Sequence, residues 1–225
     1  MRLILFDVDG TLLDSAALIH ACMCDAFAGF GLAEPGPEAS RAIIGLTLDR
    51  AIATILDREI DDEVNALVVR YKEVWLDNVG KPELQSAFFS GMLELVHELA
   101  ARDDLLLGMV TGKSRRGVVR LLDQYGLHGH FVTTRTADDC PSKPHPAMVL
   151  ECCAETGMDV ANTIVIGDTS YDMEMARSAG ALAIGVAWGY HPHEALLASG
   201  ASVIAPSAAS IPGLLETLLP RQNVI

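Results

Sequence analysis

Leu3-Ile4-Leu5-Phe6-Asp7-Val8-Asp9-Gly10-Thr11-Leu12-Leu13-Asp14-Ser15 is the stretch on which the reading of this chain turns. Four consecutive apolar residues this close to the start read as a strand buried on both faces, the pattern of a central strand in a parallel sheet. The run ends on two carboxylates one residue apart, followed by a glycine. In an open parallel sheet, ligands bind beyond the carboxyl ends of the strands, near the point where strand order reverses. A lone pair of this kind is more simply a turn cap beside a solvated side chain. Its meaning therefore depends on the other strand ends.

Working outward, short apolar and β-branched runs recur at 105–110, 131–134, 163–166, 183–186 and 202–204. Between most of them apolar residues keep helical spacing, as in Met92, Leu95, Val96 and Leu99, or Val118, Leu121, Leu122 and Tyr125. The alternation predicts an α/β fold: a mostly parallel, Rossmann-like sheet covered by helices on both faces. Residues 15–85 are the exception. They contain no convincing strand, Val64, Leu67, Val68, Tyr71 and Trp75 keep helical spacing, and the EPGPE stretch at 34–38 separates two helical runs. A helical insert over 15–85 thus interrupts an α/β core formed by 1–14 and 86–225.

Composition narrows the function. The chain has 225 residues, a net charge of −14 and a hydrophobic content of 50%, enough for a sizeable core. Phosphate-backbone binders rely on clustered Lys and Arg, so nucleic acid is excluded as a partner. The apolar start is too short for a signal-peptide core, and no run reaches the length of a membrane span. A cytoplasmic protein with no membrane partner is expected. Cys22, Cys24, Cys140, Cys152 and Cys153 lack metal-site spacing and read as reduced thiols.

Three further strand ends carry polar groups of fitting type. Thr111, Gly112 and Lys113 follow the 105–110 run, where a hydroxyl and backbone N–H groups can hold anionic oxygens. A nucleotide-binding loop is excluded there, because it needs four residues between its glycines and Gly108 and Gly112 enclose three. Lys143 stands in the stiff segment SKPHP, whose His145 reads as a helix-start residue. The 163–166 run ends in Gly167 and Asp168, with Asp172 four residues on, either a site residue or a first-turn carboxylate favoured by the helix dipole. Carboxylates gathered on one rim repel unless a cation sits among them. Mg²⁺ suits the set, being a hard ion that takes one or two carboxylates together with substrate phosphate oxygens.

With these four segments in place, the chain resembles the haloacid dehalogenase superfamily, and within it the phosphoglycolate phosphatase type with a helical cap. DVDGTLLDS, Thr111 in VTGK, Lys143 in SKPHP, and Asp168 with Asp172 in GDTSYDMEMA match its four motifs. The resemblance implies that Asp7 is a nucleophile forming an aspartyl-phosphate, which splits one difficult displacement into two. Asp9 would protonate the leaving alcohol and then activate water, a division that unequal environments of two carboxylates allow. Mg²⁺ would be held by Asp7, the Asp9 backbone carbonyl and Asp168, with Asp172 in support. Thr111, the Gly112 N–H and Lys143 would hold the transferring phosphoryl group of a small phosphorylated metabolite. The insert would be the cap, with Arg41, Gly45 and Leu46 in RAIIGLTL as its site-facing stretch, Arg41 binding substrate, and His20 as an outside candidate.

Other functions fit less well. A dehalogenase has no need of Asp9. A sugar-phosphate mutase uses the same residues with a cap that retains a phosphorylated intermediate, and stands as the alternative. A phosphonatase needs a cap lysine able to form a Schiff base, and Lys72 and Lys81, the cap's lysines, lie in polar surroundings. A regulator without activity would not need the complete set. The assembly expected is a monomer or a homodimer.

Overall fold

The computed structural model describes residues 1–220. In chain order its elements are β1 (Arg2–Phe6), β2 (Leu13–Asp14), α1 (Ala16–Ala28), α2 (Pro37–Ala42), α3 (Leu48–Leu56), α4 (Asp62–Asn78), β3 (Ala87–Phe88), α5 (Met92–Ala100), β4 (Leu105–Val110), α6 (Arg115–Tyr125), β5 (Thr133–Arg135), α7 (Ala147–Thr156), β6 (Thr163–Gly167), α8 (Ser170–Ala179), β7 (Leu182–Val186), α9 (His193–Ser199), β8 (Val203–Ala205) and α10 (Ile211–Leu218). Six strands form one sheet in the order β5-β4-β1-β6-β7-β8, and every neighbouring pair is parallel. β1 lies where the order reverses. That is the crevice position in an open sheet, so the carboxylates after Phe6 emerge where a ligand is received.

The sheet is buried on both sides, which explains the uninterrupted apolar runs. In β1, Ile4 and Phe6 point into a core shared with Met92, Leu95 and Val96 of α5, Val118 and Leu121 of α6, and Ile211 and Leu215 of α10. Leu3 and Leu5 point the other way, into a core shared with Met148 and Val149 of α7, Met173 of α8 and Leu196 of α9. Each such side chain contributes about 1.5–3 kcal/mol on full burial. The runs at 131–134 and 202–204 become the three-residue edge strands β5 and β8, each shifted later than the apolar residues alone indicate.

Helices α1 to α4 have a core of their own, in which Leu18, Met23, Phe27, Ile52, Leu67 and Tyr71 are buried together. α2 starts with Pro37 at its first turn, where the missing N–H costs nothing. Where the chain leaves the sheet for these helices and where it returns, β2 and β3 pair antiparallel, Leu13 opposite Phe88 and Asp14 opposite Ala87. Strands of two residues are too short to show an alternation, so this ribbon is invisible in the sequence. No helix among the described residues is long and apolar enough to cross a membrane.

Candidate active site

Four chain segments converge beyond the ends of the strands. Asp7 follows β1 directly, and its N–H donates to the Ile166 carbonyl at 2.9 Å, so the carboxylate leaves from a backbone still held by β6. Gly10 turns the chain at φ 98°, and a Cβ there would stand 2.2 Å from Asp168 Oδ2. Only glycine meets both the conformation and the space. Thr111 follows β4 and its N–H donates to the Arg135 carbonyl at 3.0 Å. Asp168 follows β6. Asp172 stands in the first turn of α8, where its Oδ2 accepts from the Thr169 N–H at 3.1 Å and hydroxyl at 2.7 Å, a reciprocal cap.

The structure brings Asp7, Asp168, Asp172 and Lys143 together, all buried. Lys143 Nζ lies 2.6 Å from Asp7 Oδ1 and 2.6 Å from Asp172 Oδ1. Asp168 accepts from the Thr11 hydroxyl at 3.0 Å and the Tyr190 N–H at 2.9 Å. Asp7, Asp168 and Asp172 each place one carboxylate oxygen within 4.8 Å of the others'. Asp7 Oδ2 is buried and has no hydrogen-bond partner among the described residues.

The electrostatics follow from three carboxylates sharing one ammonium. Burial pushes Asp7 up to about 7, with Lys143 opposing and Asp172 adding to the rise. Burial, then Asp7 and Asp172, push Asp168 well above the usual carboxylate range. Burial works against the Lys143 ammonium, yet Asp172 and Asp7 hold it above its ordinary value. The excess of buried negative charge and the unpartnered Asp7 oxygen fit a hard divalent cation such as Mg²⁺. Asp172 thus serves both sequence readings, as a member of this group and as a helix-start residue.

Asp9 is turned away from the three carboxylates. Its Oδ1 accepts from the Ser15 hydroxyl at 2.6 Å and pairs with Lys113 Nζ at 2.8 Å, and the side chain lines a cavity of about 610 Å³. α4 and α6 wall this cavity, with Gly45, Leu46 and Gly112 also lining it. A Cβ on Gly112 would stand 2.4 Å from the Leu46 carbonyl oxygen, so the backbone of the helical insert rests on the phosphate-holding loop expected from the sequence. The Thr47 N–H adds a hydrogen bond to Ser142 Oγ at 2.9 Å, next to Lys143.

Arg41 is not brought into the site. It is exposed in the last turn of α2 and lies outside the cavity wall, to which the neighbouring stretch Ile43, Ile44, Gly45 and Leu46 does belong. The reason is that this short helix turns Ser40 inward, to hydrogen-bond His20 Nδ1 at 2.9 Å, and so leaves Arg41 on the outer face. His20 is likewise outside the wall. Lys81 donates to Asn78 Oδ1 at 2.6 Å, whereas Lys72 lines the cavity. His145 is exposed at a helix start, its Nδ1 accepting from the Ala147 N–H at 3.2 Å.

Thr11 and Tyr190, which orient Asp168, escaped the sequence reading. Thr11 was visible as a hydroxyl next to Gly10. Tyr190 follows β7 in the stretch WGYH, a further strand end rich in polar aromatic groups. Its hydroxyl accepts from the Ser15 and Ala16 N–H groups and donates to Asp14 Oδ1 at 3.1 Å, clasping the junction between sheet and insert.

Residues 4–186 match the family model described as haloacid dehalogenase-like hydrolase. A protein of Dickeya dadantii (strain 3937) named "Probable phosphatase IndB" is 34% identical over 219 residues, which cover 96% of this chain and 94% of that protein. A Chromobacterium violaceum protein named phosphoglycolate phosphatase is 30% identical over 230 residues, covering 96% and 97%. Among solved structures, a haloacid dehalogenase-like family hydrolase of Streptococcus pneumoniae superposes with a TM-score of 0.80 at 24% identity, covering 95% of this chain and 98% of that one.

Proposed function

The chain belongs to the haloacid dehalogenase-like hydrolase family and is a hydrolase of phosphate esters, and from that premise we propose that it hydrolyses a small phosphomonoester, phosphoglycolate-like in kind, by way of an aspartyl-phosphate on Asp7, in the cytoplasm. The observation that carries the mechanism is the Asp7 carboxylate. One oxygen is pinned by Lys143 and the other is buried without a partner among the described residues, so the carboxylate is desolvated and fixed in orientation, as a nucleophile requires.

Asp9 supplies the proton to the departing alcohol and takes one from the incoming water. It lines the cavity, and Ser15 and Lys113 hold its carboxylate in place. The Thr111 hydroxyl accepts from the Lys113 N–H at 3.1 Å, which leaves its own proton for a phosphoryl oxygen. Lys143 and the Gly112 N–H complete the set that meets negative charge as it spreads over the phosphoryl group. Asp7, the Asp9 backbone carbonyl and Asp168 would hold Mg²⁺, with Asp172 in support; the ion would neutralise charge on the phosphoryl group. The insert over 15–85 acts as the cap that excludes water from the core formed by 1–14 and 86–225. All five cysteines are free, as a reducing compartment allows.

The test is phosphate release from a panel of small phosphomonoesters, with Mg²⁺ or with EDTA, beside Asp7→Asn. Release that EDTA abolishes and Mg²⁺ restores is expected, with Asp7→Asn slower by on the order of 10⁴-fold or more, as removal of a nucleophile requires. Wild-type turnover in Asp7→Asn would remove Asp7 from the nucleophile's role. Isomerisation of a hexose 1-phosphate without net phosphate release would make the protein a mutase instead.

A further inference from the structure

Asp and Glu total 30 against 16 Lys and Arg in the chain, whereas the cavity beyond Asp9 is lined by four cations, Lys72 of α4, Lys113, and Arg116 and Arg120 of α6, beside three carboxylates, Asp9, Asp49 and Asp138. None of Lys72, Arg116 and Arg120 pairs with a carboxylate among the described residues. Their neighbours that face elsewhere do pair: Arg115 with Asp139, and Arg70 with Glu73. Arg116 and Arg120 are four apart, on one face of α6. Val68, Trp75 and Leu76 share the cavity-facing side of α4 with Lys72 and offer it an apolar surface. The volume of about 610 Å³ falls in the range of pockets that enclose drug-sized ligands, about 300–1,000 Å³, and a two-carbon acid fills little of it.

Resting on the phosphatase reading above, but replacing its phosphoglycolate-like ester with a larger one, we propose that the alcohol released is a bulky, carboxylated one, its acid group received by Arg116 and Arg120 with Lys72, and its apolar, ring-sized body lying against Val68, Trp75 and Leu76. Paired guanidinium groups suit a carboxylate, which they meet with parallel charge-assisted hydrogen bonds. Lys113 does not take part in this recognition, because Asp9 engages it. Phosphate itself is held at the strand ends, so the cations of α4 and α6 are left for a second negative group on the same substrate.

The probes are benzyl phosphate, 4-carboxybenzyl phosphate and 2-phosphoglycolate. The two benzyl esters release alcohols of nearly matched acidity, so their difference reports binding of the carboxylate. In the wild-type protein with Mg²⁺, kcat/KM for 4-carboxybenzyl phosphate is expected to exceed that for benzyl phosphate by at least about tenfold, and to exceed that for 2-phosphoglycolate. In Arg116→Gln/Arg120→Gln the ratio between the benzyl esters should fall to near one. A wild-type ratio near one, a ratio unchanged in the double variant, or 2-phosphoglycolate as the best of the three would each overturn this inference while leaving the phosphatase intact. No release from any of them would overturn the phosphatase reading and the inference with it.

Discussion

The carboxylate rim and the cavity wall meet at Asp9 and Lys113, yet they are built by opposite rules. The rim takes Asp7, Thr111, Lys143, Asp168 and Asp172 from four distant segments, buries each of them, and holds the charged ones with bonds from backbone and neighbouring side chains. The wall takes Lys72, Arg116 and Arg120 from helix faces and leaves them exposed and without carboxylate partners among the described residues. Transition-state charge is met by groups that need no reorganisation when the reaction occurs, which calls for burial and rigid backing. Selecting a leaving group makes no such demand, and long cationic side chains with apolar stems can do it from a partly solvated wall.

This contrast is broken most severely by removing the cation of the rim. In Lys143→Met the side chain keeps its length, but Asp7 and Asp172 lose the ammonium that sits 2.6 Å from each. Uncompensated buried charge costs about 3–5 kcal/mol, and urea unfolding in EDTA should show a loss of that size. Arg120→Gln on the wall should stay within about 0.5 kcal/mol of the wild type, as exposed substitutions do. Equal losses for the two would mean that the rim is not an electrostatically strained cluster and the distinction fails.

The same contrast explains what could be read from the sequence. A strand end that must supply a backbone-anchored group writes it in adjacent letters: Asp7 and Asp9 after Leu3 to Phe6, Asp168 after the 163–166 run, Thr111 after the 105–110 run. Burial on both faces makes each preceding strand a continuous apolar run, so type and position were both legible. Lys143 was readable as a residue and not as a bridge, since its two partners are 136 and 29 residues away. The wall was not legible, because Lys72, Arg116 and Arg120 look like ordinary solvated helix charges until α4 and α6 are set face to face. Arg41, expected from the sequence to face the site, lies outside the cavity wall for the converse reason. It lies near Gly45 and Leu46 in sequence, but Ser40 takes the inward position on α2 and leaves Arg41 outside. The β2–β3 ribbon and Tyr190 depend on pairings across 75 and 176 residues, which no local pattern records.

Glycine substitutions probe the boundary at smaller amplitude. In Gly112→Ala the new methyl would stand 2.4 Å from the Leu46 carbonyl oxygen and 2.7 Å from that of Gly45, both backbone atoms, so the insert must lift away from the rim. A misplacement of about 1 Å can cost about 10²-fold, and kcat/KM is expected to fall by about 10- to 100-fold. Gly117→Ala, on the wall, would press on Lys113 Cγ at 2.6 Å, a side-chain atom, and meet no backbone atom of the insert. Its loss in kcat/KM should be several times smaller. Matching losses would show that the insert does not need to sit this close for the reaction.

The finest probe measures how far the two regions act as one. Lys113 belongs to both: its Nζ is 2.8 Å from Asp9 Oδ1 and 5.4 Å from the centre of the Trp75 ring on α4. An ammonium over an indole face is worth about 0.5–1 kcal/mol at a partly exposed position. Lys113→Met, Trp75→Leu and the double variant form a cycle in kcat/KM for one ester, and a coupling of about 0.5–1 kcal/mol is expected. A value of that size means that Trp75 steadies the cation that holds Asp9, so a substrate seated against α4 also affects the proton-transfer group. Strict additivity would mean that Asp9 is positioned by Ser15 and the rim alone, and that what the wall binds has no energetic link to how the rim reacts.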